Sequence, residues 1–419
     1  MANTLNLGNG NWGVKKDSLL AYNSENGNFK PLPFDFTRAS SATVVNKAGL
    51  IETVVSGRPK IDFQGNTKGA LLLEPSSTNL VTYSNDFSNS SWSKQSSSTI
   101  STNTVISPDG TLNASTFKAS SNSGGVILST NIAKTAFIKY SFSFYVKKSN
   151  HRYIGLSMGT ASTSGSYNFY DFDTDTINNT IVSPQSALIT RELIGNGWVK
   201  LTQVFEMEDS AFLNSLTSIA MTNSNGSTAY TPSGTEEVYV YGAQLEQKSY
   251  PTSHIPTQGS AVTRVADSCN NGGNEQVINS TEGVLYVETS ALSNDLSERR
   301  FGLSDGTSSN VVRVGYTSVS NRIIAVIYNG SNQAVMTYTS PDITQNSKIA
   351  VKYKANDFAL WVDGVKRSTD TSGSVFTANT LNSLDFNIGG GSHFYSETKD
   401  VRVYNTALTD QELQALTTI

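Results

Sequence analysis

Apolar and polar side chains that alternate one by one are the dominant pattern in this chain, and a period of two restricts it to strands wherever it holds. Over residues 140–146, Tyr140, Phe142, Phe144 and Val146 fall on one face, and Ser141, Ser143 and Tyr145 fall on the other. Over residues 197–207, Val199, Leu201, Phe205 and Met207 oppose Lys200, Thr202 and Glu206. Over residues 348–354, Ile349, Val351 and Tyr353 oppose Lys348, Ala350, Lys352 and Lys354. Each pattern predicts an antiparallel strand with one face in solvent. Residues 358–362 and 365–367 flank Asp363-Gly364, a pair that accepts the positive φ angles of a type I′ turn, so they predict a hairpin.

One helix is signalled, at the C-terminus. Thr409 can cap it, Glu412 can close a capping box, and Leu408 can pack on Leu413. Only 15% of the 419 residues are charged and 37% are hydrophobic, so Ser, Thr, Asn and Gly must supply most of the polar surface. That balance suits sheets and turns, and the length exceeds one ordinary core. The expected fold class is therefore all-β: two antiparallel β-sandwich domains, a short N-terminal segment ahead of them, and one short C-terminal helix.

Turn-rich, apolar-poor stretches set the expected boundaries. A break near residues 74–77 and another over 251–283 divide the chain into an N-terminal segment 1–75, a domain 76–262, a linker 263–279 and a domain 280–419. No short repeat argues for a propeller or a β-helix.

The formal net charge is −4, and Lys and Arg are scattered, so no nucleic-acid partner is expected. Cys269 is the single cysteine and His151, His254 and His393 lie far apart, which leaves neither a disulfide nor a zinc site. Cys269 reads as an incidental thiol in the linker. The first residues lack the charged and apolar regions of a secretory leader, and no run of eighteen apolar residues occurs, so membrane insertion is not expected.

Glycosidase chemistry needs two carboxyl groups set roughly 5–9.5 Å apart. No close-spaced acidic set occurs on a strand, and Glu236 and Glu237 point to opposite faces, so the chain is expected not to be an enzyme. Asp171, Asp173 and Asp175 alternate, and such carboxylates could hold calcium; the simpler reading is solvated side chains leading into a turn, with no cofactor. Trp361, Tyr239 and Tyr241 are the candidate sugar-stacking rings, each assigned to a face opposite apolar neighbours. Trp198 reads as core, whereas Trp92 and Trp12 stand in turn-rich surroundings as anchors or interface residues.

Longer runs carry a resemblance. FTRASSATVVNKAGLIETV (36–54), RPKIDF (58–63), KGALLLEPSSTNLV (68–81), SNDFSNSSWSK (84–94), SPDGTLNAS (107–115), YSFSFYVKKS (140–149), GNGWVKLTQVFE (195–206) and VYVYGAQLEQKSYPTSHIPTQGSAVTRVAD (238–267) stand in that order. This order resembles the carbohydrate-binding-module-like jelly roll of bacteriophage tail and head fibre proteins, with His254 where Tyr is common. GVLYVETS (283–290), KIAVKYKANDFALWVDGVK (348–366), LDFNIGGG (384–391) and KDVRVYNTALTDQELQAL (399–416) are similar to laminin-G or concanavalin-A-like lectin domains.

The first 33 residues also resemble proteins of Bacteroidetes phages, including crAss-like ones. The resemblance implies a virion protein, assembled in the host cytoplasm and acting extracellularly, that binds host-surface glycan without catalysis. A structural adaptor binding only virion proteins, or a polysaccharide depolymerase, are the alternatives. It further implies a homotrimer. Segment 1–75 is too short and too poor in regular alternation for a large core of its own, yet it holds Trp12, Tyr22, Phe29, Phe34 and Phe36, so these rings are expected to be buried against neighbouring subunits or another virion protein as the attachment end.

Overall fold

The computed structural model describes residues 5–10, 12, 14–15, 18–19, 21–23, 28–30, 34–95, 97–121, 124–159, 167–179, 188–206 and 216–419; for residues 14–30 it describes backbone alone. Apart from the helix Asp410–Thr417 and a single 3-10 turn, the regular elements among them are strands. The all-β expectation holds.

The chain forms two compact units, and one interrupts the other. The first comprises Met1–Lys47, Thr53–Pro75 and Val265–Ile419; the second comprises Ala48–Glu52 and Ser76–Arg264. This differs from the serial division expected at residues 75 and 280. Strand Leu5–Gly8 pairs antiparallel with Ser396–Tyr404, Leu5 opposite Val403, and Ala70–Leu73 pairs with the same strand, Leu71 opposite Thr398. Backbone hydrogen bonding thus makes the N-terminal segment part of the C-terminal sandwich.

In the first unit, one sheet runs Val365–Asp370, Phe358–Val362, Ser347–Lys354, Glu282–Ala291, Ser396–Tyr404, Leu5–Gly8. The other runs Asn332–Thr339, Arg322–Asn329, Asn310–Tyr316, Arg299–Ser304, Ser383–Asp385. Ile349, Val351 and Tyr353 project into one apolar cluster with Leu285, Val287, Val401, Val312 and Ile327, as the alternation predicts. The Asp363-Gly364 turn has φ of 52° and 76°, the two positive angles a type I′ hairpin requires.

The second unit stacks two six-stranded sheets. Lys139–Lys148 lies at the centre of one, between Trp198–Glu206 and Glu237–Glu246, and sends Tyr140, Phe142, Phe144 and Val146 into the core. Val199, Leu201 and Phe205 join them; Met207 lies outside the described residues. Trp198 is buried as expected, its indole N–H donating to Ile106 O at 3.2 Å. Trp92 is buried too, 5.0 Å from the Phe87 ring, and serves the core instead of an interface.

The expected linker 263–279 is bonded chain. Val262–Arg264 pairs with Ser77–Asn79, and Ser268–Asn270 pairs with Asp35–Thr37. Cys269 and Ile278 enter the core of the first unit, and burial pushes the Cys269 thiol well above its usual range.

A buried ionic cluster ties together four of the motifs quoted above. Arg38 Nη1 donates to Asp267 Oδ1 at 3.0 Å, Lys60 Nζ lies 3.1 Å from Asp267 Oδ2, and Lys60 also pairs with Glu74. The backbone N–H of Glu74 donates to Asp267 Oδ2 at 2.8 Å, while that of Asp267 donates to Glu74 O at 3.0 Å. Arg38 Nε and Nη2 reach Ser40 O and Val55 O. Two cations and two carboxylates are thus matched inside the first unit, at the points where its chain departs into the second and returns.

Candidate functional site

The rings picked out for stacking are mostly occupied by packing. Trp361 does face away from the sandwich core, as its alternation implies. However, the helix Asp410–Thr417 lies over that face, and Trp361 is 6% exposed among Tyr286, Ala350, Tyr404, Leu413 and Leu416. The helix is held there by its ends. Thr409 and Glu412 form the reciprocal capping box, Leu408 and Leu413 share the cluster, and Lys348 Nζ donates to Thr418 O at 2.8 Å. Trp361 is therefore a helix-docking residue.

Tyr239 and Tyr241 share the outer face of their strand, opposite Val238 and Val240 in the core. After them a bulge at Gly242, φ 64°, returns Ala243 and Leu245 to the core side. A Cβ at Gly242 would meet the Tyr145 ring at 2.8 Å, so glycine is required there. Residues after the strand fold back over Tyr241. Its ring lies 5.7 Å from His254 and 5.9 Å from Tyr145, and its hydroxyl donates to Asp109 Oδ2 at 2.9 Å. Burial, then the Asp109 charge, push that hydroxyl well above its usual range. Tyr239 is half-buried and makes no such cage.

Asp171, Asp173 and Asp175 are claimed by cations, not gathered around a vacant point. Arg152 grips Asp171 with two bonds of 2.8 Å, Lys148 pairs with Asp173, and Arg191 Nη2 reaches Asp175 Oδ2 at 2.7 Å. Tyr170 also donates to Asp175 at 2.7 Å, and the Arg152 bonds hold the Asp171 carboxyl well below the ordinary range. The arrangement argues for a salt-bridged turn in place of calcium ligation.

Trp12, Phe34 and Phe36 lie in the core of the first unit, and Trp12 Nε1 donates to Lys399 O at 3.0 Å. They are spent on holding the N-terminal segment to its own sandwich, which corrects their assignment to an attachment interface. The side chains of Tyr22 and Phe29 lie outside the described residues.

Two open clefts, one in each unit, are lined by polar groups. That of the second unit holds about 510 Å³ and is lined by Asn85, Asp86, Ser88, Thr102, Asn103, Asn113, Pro256, Thr257 and Gln258. Asn103 stands exposed at φ 54°, and Asn113 donates Nδ2 to Asp109 Oδ2 at 2.7 Å while its Oδ1 makes no hydrogen bond. Burial alone would raise the Asp109 carboxyl, but bonds from Thr111, Asn113 and Ser107 outweigh it and hold it low. Tyr241 thus reaches this cleft through Asp109 and Asn113, as a support. Amides and hydroxyls that can each donate and accept match the vicinal hydroxyls of a neutral sugar.

The cleft of the first unit holds about 670 Å³ on the outer face of strands Glu282–Ala291, Ser347–Lys354 and Ser396–Tyr404, beside the helix. Tyr286 and Tyr404 form part of its wall, and Lys68, Lys348, Lys399 and Arg402 face Glu288 and Asp400. Composition could not reveal either cleft, since each collects ordinary Asn, Lys and Thr residues from distant parts of the chain. Among the described residues no group of His, Cys, Asp or Glu could hold a metal ion.

No curated protein matches the chain in sequence. Among solved structures it is similar to the CBM40 of the Ruminococcus gnavus IT-sialidase bound to alpha2,3 sialyllactose, at 15% identity and TM-score 0.30, over 36% of this chain and 94% of that one. It is also similar to a putative carbohydrate binding protein from Bacteroides ovatus, at 11% identity and TM-score 0.28, over 72% and 82%. The LG4-5 domains of the mouse laminin alpha1 chain are similar at 9% identity and TM-score 0.23, over 69% and 90%. Within the β-sandwich of the first unit, residues 287–414 match the model of the concanavalin A-like lectin/glucanases superfamily.

Proposed function

We propose that this chain is a non-catalytic glycan-binding protein of a bacteriophage virion, a fibre or decoration protein that engages host-surface polysaccharide. The observation that carries glycan binding is the cleft of the second unit, where the amides of Asn85, Asn103, Asn113 and Gln258 and the hydroxyls of Ser88 and Thr102 line one concavity with Asp86 as its single charged member. The lectin-type match of residues 287–414 supports the same reading. The virion part, the trimer and contacts with other virion proteins rest on the sequence resemblance over residues 34–267.

Binding of the purified protein to an array of bacterial surface polysaccharides tests the first part. Asn103→Ala and Gln258→Ala should each weaken binding by roughly 2- to 10-fold, the worth of one neutral hydrogen bond. Absence of any bound saccharide, or binding that ignores both substitutions, would sink it. Light scattering and antibody labelling of purified particles test the trimer and the virion location.

A hydrolytic reading has one observation in its favour. Glu288 and Asp400 are directly opposed on paired strands and line one cleft, and burial raises the Asp400 carboxyl. Arg402 nevertheless holds Asp400 Oδ2 through two bonds, of 3.0 and 2.6 Å, and Glu288 accepts from Asn346 at 2.9 Å. Both carboxylates are engaged in structure. Release of reducing ends from a bound polysaccharide, lost in Glu288→Gln, would establish hydrolysis instead.

A further inference from the structure

The cleft of the first unit differs in chemistry from that of the second. We infer that it is a separate site for an acidic saccharide, a sugar bearing a carboxylate or sulfate among its hydroxyls. The inference shares the glycan-binding reading but uses other residues, so substitutions in the two clefts separate the failure of one from the failure of the other.

Charge carries the first half of the argument. Four cationic side chains and two carboxylates line the cleft, an excess of two positive charges on a chain whose formal net charge is −4. Arg402 is spent on Asp400, whose charge Lys348 also feels at longer range, but the ammonium groups of Lys68, Lys348 and Lys399 form no close ion pair with a carboxylate among the described residues. Lys68 Nζ donates to Asn9 Oδ1 at 2.5 Å and Lys348 Nζ to Thr418 O, each leaving further donors free. Three unpaired ammonium groups around one concavity raise the local concentration of anions.

A buried acceptor carries the second half. Asp400 is 1% exposed and lines the cleft, and both bonds from Arg402 go to its Oδ2. Its Oδ1 makes no hydrogen bond. A buried carboxylate oxygen without a donor is costly, and a simple inorganic anion would repel it. A ligand that offers an O–H toward Asp400 and an acidic group toward the lysines satisfies both. Polyhydroxylated acids have that pairing, and the rings of Tyr286 and Tyr404 give the wall some apolar surface for a sugar face.

The test is calorimetric titration of the full chain with a hexuronate oligomer, a sulfated oligomer, the neutral oligomer of the same linkage, and inorganic sulfate. The two anionic oligomers are the alternative sources of the shared chemistry, and binding of either supports the site. Expected is binding that weakens as salt is added and falls roughly tenfold in Lys68→Gln/Lys399→Gln, as loss of a charge-assisted hydrogen bond implies. Asn103→Ala should leave it unchanged. Lys68 is exposed and Lys399 half-buried, so an unchanged melting temperature would show that the variant is folded. Anionic oligomers that bind no better than the neutral one, or that bind the double variant as tightly as the parent, would overturn the inference. So would inorganic sulfate binding as tightly as an acidic oligomer, because the hydroxyl groups would then contribute nothing.

Discussion

Removing the Asp267 carboxylate should unfold the first unit at markedly lower temperature and leave the second unit's transition in place. Asp267 is fully buried and accepts from Arg38, Lys60 and the Glu74 backbone. In Asp267→Ala, Lys60 keeps Glu74, and Arg38 keeps its bonds to Ser40 O and Val55 O but loses its only carboxylate. A balanced pair of cations and anions becomes two cations against one anion, inside protein. Breaking a buried pair by removing one partner costs about 3–5 kcal/mol. For a unit of 150–250 residues that lowers the midpoint by roughly 6–20 °C.

Calorimetry combined with hydrogen-exchange mass spectrometry would assign each transition to peptides of one unit. Asp267→Asn, which keeps the shape and the acceptor for Glu74, should show most of the loss, since charge and not volume is the cause. A shift below about 1 kcal/mol, the range of an exposed pair, would refute the reasoning. Equal shifts in peptides from both units would refute it as well.

His254 should make the second unit acid-sensitive. Burial, with help from the Lys200 charge and against Asp109, holds its imidazole down to about 3 from an ordinary 6.5. The folded form stays neutral while the unfolded chain gains a proton, so stability is present above pH 6.5 and drains as pH falls toward 3. Between neutrality and about pH 4.5 the loss is roughly 2–3 kcal/mol, at about 1.4 kcal/mol per pH unit, and urea titration of His254→Tyr should show little of that slope. Asp400 has the opposite sign: burial raises its carboxyl above 3.8 despite Arg402, so its contribution is lost as pH rises. Asp400→Asn should therefore melt higher than the parent at neutral pH and level with it near pH 3. Trp361→Ala should cost about 3–5 kcal/mol of the first unit's stability by emptying the helix dock, while saccharide binding below the melting point is unchanged; a large loss of affinity at full fold would restore Trp361 as a contact residue.

What the sequence made legible was local. The strands through Tyr140 and Ile349, the Asp363-Gly364 hairpin and the Thr409 capping box depend on residues a few positions apart, and each formed; the opposite strand faces, expected in solvent, are instead buried at Ser141, Ser143, Tyr145, Ala350 and Lys352, because distant chain covers them. The serial domain plan failed because hydrogen bonding of Leu5–Gly8 to Ser396–Tyr404 leaves no mark in either segment alone. Trp361 was placed on the correct side of its strand, and only the docking of a helix some fifty residues later decided that the side was dry. Arg38, Lys60, Glu74 and Asp267 all stood in recognisable motifs, yet nothing in their spacing says that they meet. The clefts were illegible for the same reason.

The interruption of one unit by the other bears on how the chain acquires its structure. Before the second unit folds, closing the first requires bringing together Glu74 and Asp267 across the whole inserted stretch of residues 76–264. Once Ser77–Asn79 has paired with Val262–Arg264, those two residues are separated by only a few ordered positions. Shrinking a loop from about 190 residues to about five saves roughly 3 kcal/mol of chain entropy. The inserted unit therefore acts on its host as a covalent cross-link would, by removing disorder from the state that has yet to fold, and order should spread outward from residues 76–264 to both ends of the chain.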